Sequence, residues 1–186
     1  MSVPAEARDH TWGPADAAVT LVEYGDFECW YCGAAYEILK QVRLRLPGKF
    51  RFVFRNFPLT DVHPRAELAA EAAEAVGAQG EYWGMHGWLF EHQRSLEMPQ
   101  LVQAAADFGA DVTRFRRDMG DHAFAGRVLE DFKTGQASGV TATPTFFING
   151  IRHEGSYKPE HLIAAIEASE RAIAGSPPVA GPSLSD

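Results

Sequence analysis

The amino-acid sequence predicts a single α/β domain, and three observations lead to this fold class. Two short strand-like runs flank an amphipathic helix near the start of the chain. A long alanine-rich stretch with helical periodicity follows, and a hairpin and a final helix come after it. A chain of 186 residues is long enough for one core of ordinary size, whereas a second independent core would be cramped.

The first unit is a strand, a helix and a second strand. The run "VTLVEYG", residues 19–25, is rich in β-branched residues and ends in glycine, as a short buried strand does. In "GAAYEILKQVRLRL" apolar residues recur at helical spacing until Pro47-Gly48 ends the pattern. These residues are Ala35, Ile38, Leu39, Val42 and Leu46. The segment "KFRFVFRNFPL" alternates phenylalanine with polar residues and stops at Pro58, which predicts a second strand, parallel to the first.

A helical insertion is predicted from about residue 61 to 136. Pro99 stands where a first-turn proline is tolerated, and Asp111 is a candidate cap for the segment after it. The acidic residues of "AELAAEAAEA" are predicted to form a solvated helix face. An aromatic group is predicted to pack within the insertion, with His86 as a hydrogen-bonded core or groove histidine. Its members are Tyr82, Trp83, Trp88, Leu89 and Phe90.

A hairpin and a last helix complete the domain. The run "VTATPTFFING" predicts a strand followed by an Asn-Gly turn, "IRHEG" the returning strand, and "KPEHLIAAIEASERAIA" the helix. The main fold therefore comprises about residues 18–60 and 137–172. Residues 175–186 are rich in Pro, Gly and Ser and are predicted to be disordered.

Composition excludes several classes of function. The net charge of −8 repels phosphate backbones, so nucleic acid is not an expected partner. No apolar run approaches the ~20 residues needed to cross a bilayer, so we expect a soluble protein without a membrane partner. The first residues lack the apolar segment of a secretory signal, which predicts a cytoplasmic protein, although an exported mature form would look the same.

The two cysteines, Cys29 and Cys32, lie in "FECWYCG" and allow three interpretations. A structural disulfide here would close a loop too short to constrain much of the unfolded chain. A metal site would need two further ligands, and the seven histidines include no pair at helical ligand spacing. A redox pair is favoured, because a CxxC motif at a strand-to-helix junction is a strong signal for disulfide exchange.

Helix geometry gives the two sulfurs different roles. Unpaired amide groups and the positive end of the helix dipole face Cys29, which favours its thiolate at neutral pH. Cys32 lies one turn later on the same side and is less exposed. We therefore expect Cys29 to attack a disulfide and Cys32 to resolve the mixed disulfide.

Two residues outside the motif are further candidates. Glu23 lies inside a predicted buried strand, where a carboxyl with a raised pKa could exchange a proton with Cys32. The alternative is a solvated position at a frayed strand end. Pro144 stands at the entrance to a predicted strand, and the base rate for X-Pro bonds favours a trans bond there.

The motifs "VEYGDFECWYC", "FRNFPL" and "VTATPTFFINGIRHEGSY", with the helical insertion, resemble the DsbA-like branch of the thioredoxin superfamily over roughly residues 11–168. The resemblance implies a thioredoxin fold with an inserted helical domain. It also implies that Cys29 and Cys32 are catalytic, that Glu23 assists proton transfer, and that Pro144 is cis. Thr143 is then expected to lie against the disulfide and to bind an extended substrate peptide through its backbone.

The chain departs from this family inside the motif. Most members carry proline after the first cysteine, whereas this sequence has Trp30 followed by Tyr31. These two residues help to set the redox potential, because they decide which amides and side chains meet the thiolate. Trp30 could also offer an apolar platform to a peptide. The direction of electron flow therefore stays open at this point.

The leading hypothesis is a thiol-disulfide oxidoreductase that acts on protein or peptide thiols, requires no bound cofactor and is recycled by a separate redox partner. We expect a monomer. One alternative is a peptide-binding or chaperone-like module in which the cysteine pair is incidental. Another is a glutathione-linked transferase of related fold, although such enzymes usually work without a second cysteine.

Overall fold

A central five-stranded sheet organises the protein in the computed structural model, which describes residues 1–2 and 4–175. Its strands are β1 His10–Trp12, β2 Val19–Gly25, β3 Phe50–Asn56, β4 Thr145–Ile148 and β5 Ile151–Arg152. They lie in the order β1-β3-β2-β4-β5. Apart from Gly175, the segment predicted to be disordered, 175–186, lies outside the described residues.

Strand pairing confirms the predicted strand-helix-strand unit. Strands β2 and β3 are parallel, with Val19 opposite Phe50, while β4 runs antiparallel to β2 on its other side. Strand β2 therefore has a neighbour on each side, and every residue in its second half is buried. Strand β1 was not predicted, since a strand of three residues is too short to show a periodicity.

The described residues also form seven helices. They are α1 Trp30–Arg45, α2 Ala66–Gly77, α3 Tyr82–Glu91, α4 Met98–Asp107, α5 Val112–Gly120, α6 Ala125–Ala137 and α7 Pro159–Ala174. Helices α1 and α7 contact each other, and α7 packs on β2 and β4. Helix α6 packs on β3, where Phe132 contacts the cluster of Val22 and Val53. The insertion, α2 to α6, thus reaches the sheet through α6 and also through α3, where Trp83 contacts Phe52 and Phe90 contacts Phe54 of β3.

Local signals in the sequence account for several element ends. The Asp111 side chain accepts a hydrogen bond from the backbone N–H of Arg114 at 3.0 Å, which confirms it as the cap of α5. Pro99 lies in the first turn of α4, where it forfeits no helical hydrogen bond. Asn149 and Gly150 both have positive φ, 46° and 81°, as the tight turn between β4 and β5 requires.

The acidic face predicted for α2 is only partly solvated. Glu67 is exposed, but Glu71 and Glu74 are buried. Glu71 contacts the ring of His122 at 2.9 Å, and Glu74 accepts a hydrogen bond from the Asn56 side chain at 2.8 Å. The expectation was wrong for these two because their partners come from distant segments, which the local charge pattern does not reveal.

The predicted aromatic group of the insertion packs as a core. Tyr82 and Phe90 are buried, and Phe90 also contacts the ring of Phe27 beside the cysteines. His86 is buried among these rings, and burial lowers its pKa to about 3, so its ring is neutral. The expected core position of His86 is therefore confirmed, but the expected hydrogen bond is not, since its Nε2 atom has no partner among the described residues.

A buried ion pair ties the N-terminal segment to the sheet. The Arg55 guanidinium in β3 donates to both carboxylate oxygens of Asp9, at 2.9 and 2.8 Å. It also donates to the Tyr24 hydroxyl at 2.9 Å and to the backbone carbonyl of Pro4 at 2.7 Å. Because both charged side chains are completely buried, each depends on the other for its charge to be tolerated.

Candidate redox site

The two cysteines lie where the chain leaves β2 and enters α1. Cys29 is the N-cap of α1, and its backbone N–H donates to the carbonyl of Asp26 at 3.1 Å, which closes a tight turn. Cys32 follows one turn later inside the helix. Both are free thiols, with 4% of Cys29 and 0% of Cys32 exposed. The structure therefore gives the outer position to Cys29 and the inner one to Cys32.

The surroundings of Cys29 favour its thiolate and lower its pKa to about 5. A hydrogen bond with the Cys32 side chain is the largest cause. Burial opposes it, while Thr143 and the backbone N–H groups of Cys32 and Tyr31 lower the pKa further. A thiol with this pKa is almost fully ionised at neutral pH, as an attacking sulfur requires.

Cys32 has the opposite environment. Burial is the largest cause that raises its pKa well above the ordinary value. Its hydrogen bond to Cys29 and the negative charges of Glu23 and Cys29 act in the same direction. The backbone N–H of Asp26 points at its sulfur, 3.4 Å away, and partly offsets the increase. Cys32 is therefore a protonated thiol beside a thiolate.

Glu23 lies in the middle of the sheet beneath the cysteines. It sits on β2 opposite Phe54 of β3 and Phe146 of β4, and 1% of it is exposed. The alternative of a solvated strand end therefore does not hold. Burial raises its pKa to about 8, and the charge of Cys29 adds to the increase. Its Oε1 atom has no hydrogen-bond partner among the described residues, so the carboxyl is free to exchange a proton.

Thr143 and Pro144 approach the cysteines from the loop before β4. The peptide bond between them is cis. The sulfur of Cys29 lies 3.5 Å from the backbone carbonyl of Thr143, within hydrogen-bond reach of a thiol. The Thr143 side chain is buried beside Cys29 and helps to lower the pKa of that cysteine. The structure thus brings the two predicted segments of the site together.

Trp30 and Tyr31 lie on the surface at the start of α1, with 73% and 62% of each residue exposed. Trp30 borders an open groove between α1 and the insertion. The other lining residues are Glu28, His63, Arg65, Phe90, Glu91, His92, Gln93, Arg94 and Ser95. Glu28 and Trp30, the neighbours of Cys29 in the chain, both line this groove.

Sequence reasoning missed three residues that contact the turn before Cys29. The buried carboxylate of Asp26 accepts hydrogen bonds from the backbone N–H groups of Glu28 and Leu59 and lies 2.8 Å from Nδ1 of His63. The side chain of Gln93 donates to backbone carbonyls of the same turn. An acid just before a helix signals a possible turn or cap for Asp26, but no local pattern singles out His63 or Gln93.

The described residues contain no cluster of three or more side chains that could hold a metal ion. In residues 1–2 and 4–175, no helix has the length and apolar character needed to span a bilayer.

Comparison with known proteins agrees with this architecture. A family model described as Thioredoxin matches residues 6–168. The structure of oxidised BdbD from Bacillus subtilis superimposes with a TM-score of 0.80 and 24% sequence identity, and it covers 87% of this chain and 92% of BdbD. Wolbachia pipientis alpha-DsbA1 gives a TM-score of 0.79 with 21% identity over 91% of this chain and 95% of that protein.

A different relative is more similar in sequence. The protein named Na(+)/H(+) antiporter NhaA 1 from Salinispora arenicola is 46% identical over 170 residues, which is 91% of this chain. The match covers only 26% of the antiporter, so this chain spans about a quarter of that relative's length.

Proposed function

The chain belongs to the thioredoxin family and has the DsbA-like fold, and on this premise we propose that it is a thiol-disulfide oxidoreductase for protein or peptide substrates. One observation carries the proposal. Two cysteines one helical turn apart have pKa values displaced in opposite directions, with Cys29 lowered to about 5 and Cys32 raised. This asymmetry separates an attacking sulfur from a resolving one.

The exchange proceeds in two balanced steps. The Cys29 thiolate attacks a substrate disulfide, so that a bond forms between Cys29 and one substrate sulfur while the other substrate sulfur leaves as a thiolate. Cys32 then loses its proton and attacks Cys29, which forms the Cys29–Cys32 disulfide and releases the second substrate sulfur. The substrate gains two electrons and the protein loses them. The reverse sequence oxidises a substrate dithiol.

Glu23 has a place in the second step. Cys32 must lose a proton that its environment strongly retains, and Glu23 is the buried ionisable side chain whose charge raises the Cys32 pKa. In its ionised form Glu23 can accept that proton directly or through a water molecule, and a pKa near 8 makes the transfer reversible around neutral pH.

Substrate binding is proposed at two surfaces beside Cys29. The first is the backbone at Thr143, whose carbonyl contacts the Cys29 sulfur and which we expect to pair with an extended peptide, as the family resemblance implies. On the other side, Trp30 offers an apolar contact at the border of the groove between α1 and the insertion, whose other lining residues are mostly polar.

Disulfide donation is the proposed direction. A stabilised thiolate favours the reduced form of the pair and raises its potential. The Cys29 pKa of about 5 lies between the values typical of thioredoxin, about 7, and DsbA, about 3.5. We therefore expect a potential between about −270 and about −120 mV. The measurement is equilibration with glutathione buffers, and a value below about −270 mV would favour reduction instead.

The compartment affects this direction. The cytoplasmic location expected from the sequence stays a proposal, and in a reducing cytoplasm such a pair would be held reduced and respond to oxidation. Fractionation of cells that produce the natural polypeptide tests the location.

Two cysteine variants test the function. Cys29→Ser should abolish turnover of a peptide disulfide, because serine supplies no thiolate. Cys32→Ser should accumulate mixed disulfides with its substrates, because the resolving sulfur is missing. Retained turnover in Cys29→Ser would contradict the proposal. Suppression of aggregation by a variant that lacks both cysteines would favour the chaperone-like alternative.

A second candidate function concerns the partner. Since relatives named Na(+)/H(+) antiporters match this chain over a quarter of their length, we propose an antiporter as one partner in disulfide exchange. The Cys32→Ser variant should then trap a membrane antiporter as a mixed disulfide in cells. Capture of other proteins alone would remove this candidate.

A further inference from the structure

We propose that Gln93 is a positioning residue for Cys29, through which the helical insertion maintains the thiolate. The inference rests on the proposed function and extends it, because it assigns to the insertion a part in setting the reactivity of the cysteine.

The contacts of Gln93 are specific to the turn that carries Cys29. Its Nε2 atom donates to the backbone carbonyl of Phe27 at 2.9 Å and to that of Cys29 at 2.8 Å. Both hydrogens of one amide are thereby used on two carbonyls of the same turn. Gln93 itself lies in the segment between α3 and α4, so the contact joins the insertion to the start of α1.

The carbonyl of Cys29 is the first acceptor of α1. It also accepts the backbone N–H of Gly33 at 3.1 Å. Gln93 therefore fixes the residue from which the helix begins, rather than a peripheral loop. The opposite end of the turn is held independently, since the Asp26 carboxylate binds the backbone N–H of Leu59 and lies against His63.

The Cys29 pKa depends on the position of this residue. The groups that lower it are the Cys32 side chain, Thr143 and the backbone N–H groups of Cys32 and Tyr31. Hydrogen bonds to sulfur weaken steeply with distance and misalignment. If Gln93 is lost, Cys29 keeps the bond from its N–H to the Asp26 carbonyl and the helical bond from Gly33, but its carbonyl and that of Phe27 lose the contact that ties this turn to the insertion. The Cys29 sulfur is then held less firmly against these groups. We therefore expect the pKa to rise.

Gly33 offers a second way to disturb the same contact. A Cβ atom on Gly33 would lie 2.4 Å from Oε1 and 3.0 Å from Cδ of Gln93. Gly33→Ala must therefore displace the Gln93 amide, although the Gln93 side chain itself is not altered. The substitution otherwise favours the helix, because alanine has a higher helix propensity than glycine.

The experiment compares the reduced full chain with three variants. Gln93→Met keeps the length of the side chain and removes both donors, and Gly33→Ala displaces the amide. Gln103→Met is the matched control, since Gln103 is exposed on α4 and contacts Asp107. The Cys29 pKa is read from thiolate absorbance as a function of pH, and circular dichroism reports the fold.

We expect the ionisation constant of Cys29 to fall about fivefold in Gln93→Met and in Gly33→Ala, and to be unchanged in Gln103→Met. If Gln93→Met does not fold, the Cys29 pKa of Gly33→Ala alone tests the proposal. An unchanged Cys29 pKa in the folded variants would overturn the role of Gln93 and leave the proposed function intact. Turnover by Cys29→Ser would overturn the proposed function whatever the pKa values are.

Discussion

The sulfur of Cys29 lies 3.5 Å from the backbone carbonyl of Thr143, although 114 positions separate the two residues in the chain. The thiol can donate to this carbonyl, whereas the thiolate cannot, so ionisation of Cys29 frees a buried backbone acceptor of the residue proposed to bind substrate. The Cys29 sulfur and the proposed peptide-binding backbone at Thr143 are therefore linked through one contact. Ionisation of Cys29 is expected to affect peptide binding, and peptide binding the Cys29 pKa.

The first prediction concerns the reactivity of Cys29. Its alkylation by iodoacetamide should follow a midpoint near pH 5, because its pKa is lowered to about 5 by the Cys32 hydrogen bond and neighbouring donors. An ordinary thiol would instead give a midpoint near 8.5. Alkylation rates between pH 3.5 and 10 check this, with Cys29→Ser as the control for Cys32. A midpoint above about pH 8 would contradict the electrostatic account of the site.

The second prediction concerns proton transfer by Glu23. Glu23→Gln should slow the release of a peptide from its mixed disulfide with Cys29 by about tenfold near neutral pH, because the amide cannot accept the Cys32 proton. Stopped-flow measurement of peptide release gives the rate. Glu81→Gln, an exposed control, should leave it unchanged. Equal rates and pH profiles in Glu23→Gln and the parent would remove Glu23 from the mechanism.

The third prediction concerns the stability cost of Glu23. Its pKa is raised from about 4.5 when unfolded to about 8 when folded, so the folded state prefers the protonated acid. The contribution of Glu23 to the free energy of unfolding is therefore fully present below pH 4.5 and is lost as the pH rises to 8. Glutamine does not ionise, so Glu23→Gln should gain on the order of 3 kcal/mol relative to the parent between pH 4 and pH 7.

Urea unfolding of the two reduced proteins at several pH values checks this difference. Both proteins retain Cys29, whose own pH dependence therefore largely cancels in the comparison. Parallel stability curves from pH 4 to pH 8 would show that the carboxyl of Glu23 ionises at its ordinary pKa in the folded protein.

The fourth prediction separates binding from reactivity at Trp30. Trp30→Ala should raise KM for a peptide disulfide about threefold, because it removes an exposed aromatic surface next to Cys29. The Cys29 pKa should not change, since the groups that lower it belong to other residues and to the backbone. Leu44→Ala is the control, because Leu44 is equally exposed near the opposite end of α1. A shifted pKa with an unchanged KM would assign Trp30 to redox tuning instead.

The fifth prediction concerns the buried ion pair. Asp9→Ala should reduce the free energy of unfolding by about 3–5 kcal/mol, because it leaves the Arg55 guanidinium buried without its carboxylate. Urea denaturation gives the value. The exposed pair of Arg171 and Glu167 is the comparison, and Glu167→Ala should cost less than about 0.5 kcal/mol. Equal effects would mean that water reaches Arg55 in the folded protein.

Local patterns in the sequence were sufficient for most of the secondary structure. Strands β2 and β3 and helix α1 carry clear periodicities, and glycine or proline marks their ends. The position of the cysteine pair at the start of α1 could be predicted for a similar reason, because the CxxC motif directly follows β2 in the sequence. Strand β1 was not predicted because three residues are too few to show a periodicity.

The remaining parts of the site depend on distant contacts. The proximity of Thr143 to Cys29 was expected only through the family resemblance, because nothing near Thr143 in the sequence indicates it. Glu71 and Glu74 looked solvated because their partners, His122 and Asn56, lie in other segments. Gln93 is one polar residue in a polar stretch. Its amide contacts the turn before α1 only in the folded protein, so the sequence alone does not single it out.

The attachment of the N-terminal segment has a practical consequence for work on shorter or longer polypeptides. Pro4 and Asp9 supply a carbonyl and a carboxylate to the Arg55 side chain, so this segment forms part of the folded unit. A fragment cut at β1 would lose both acceptors at once.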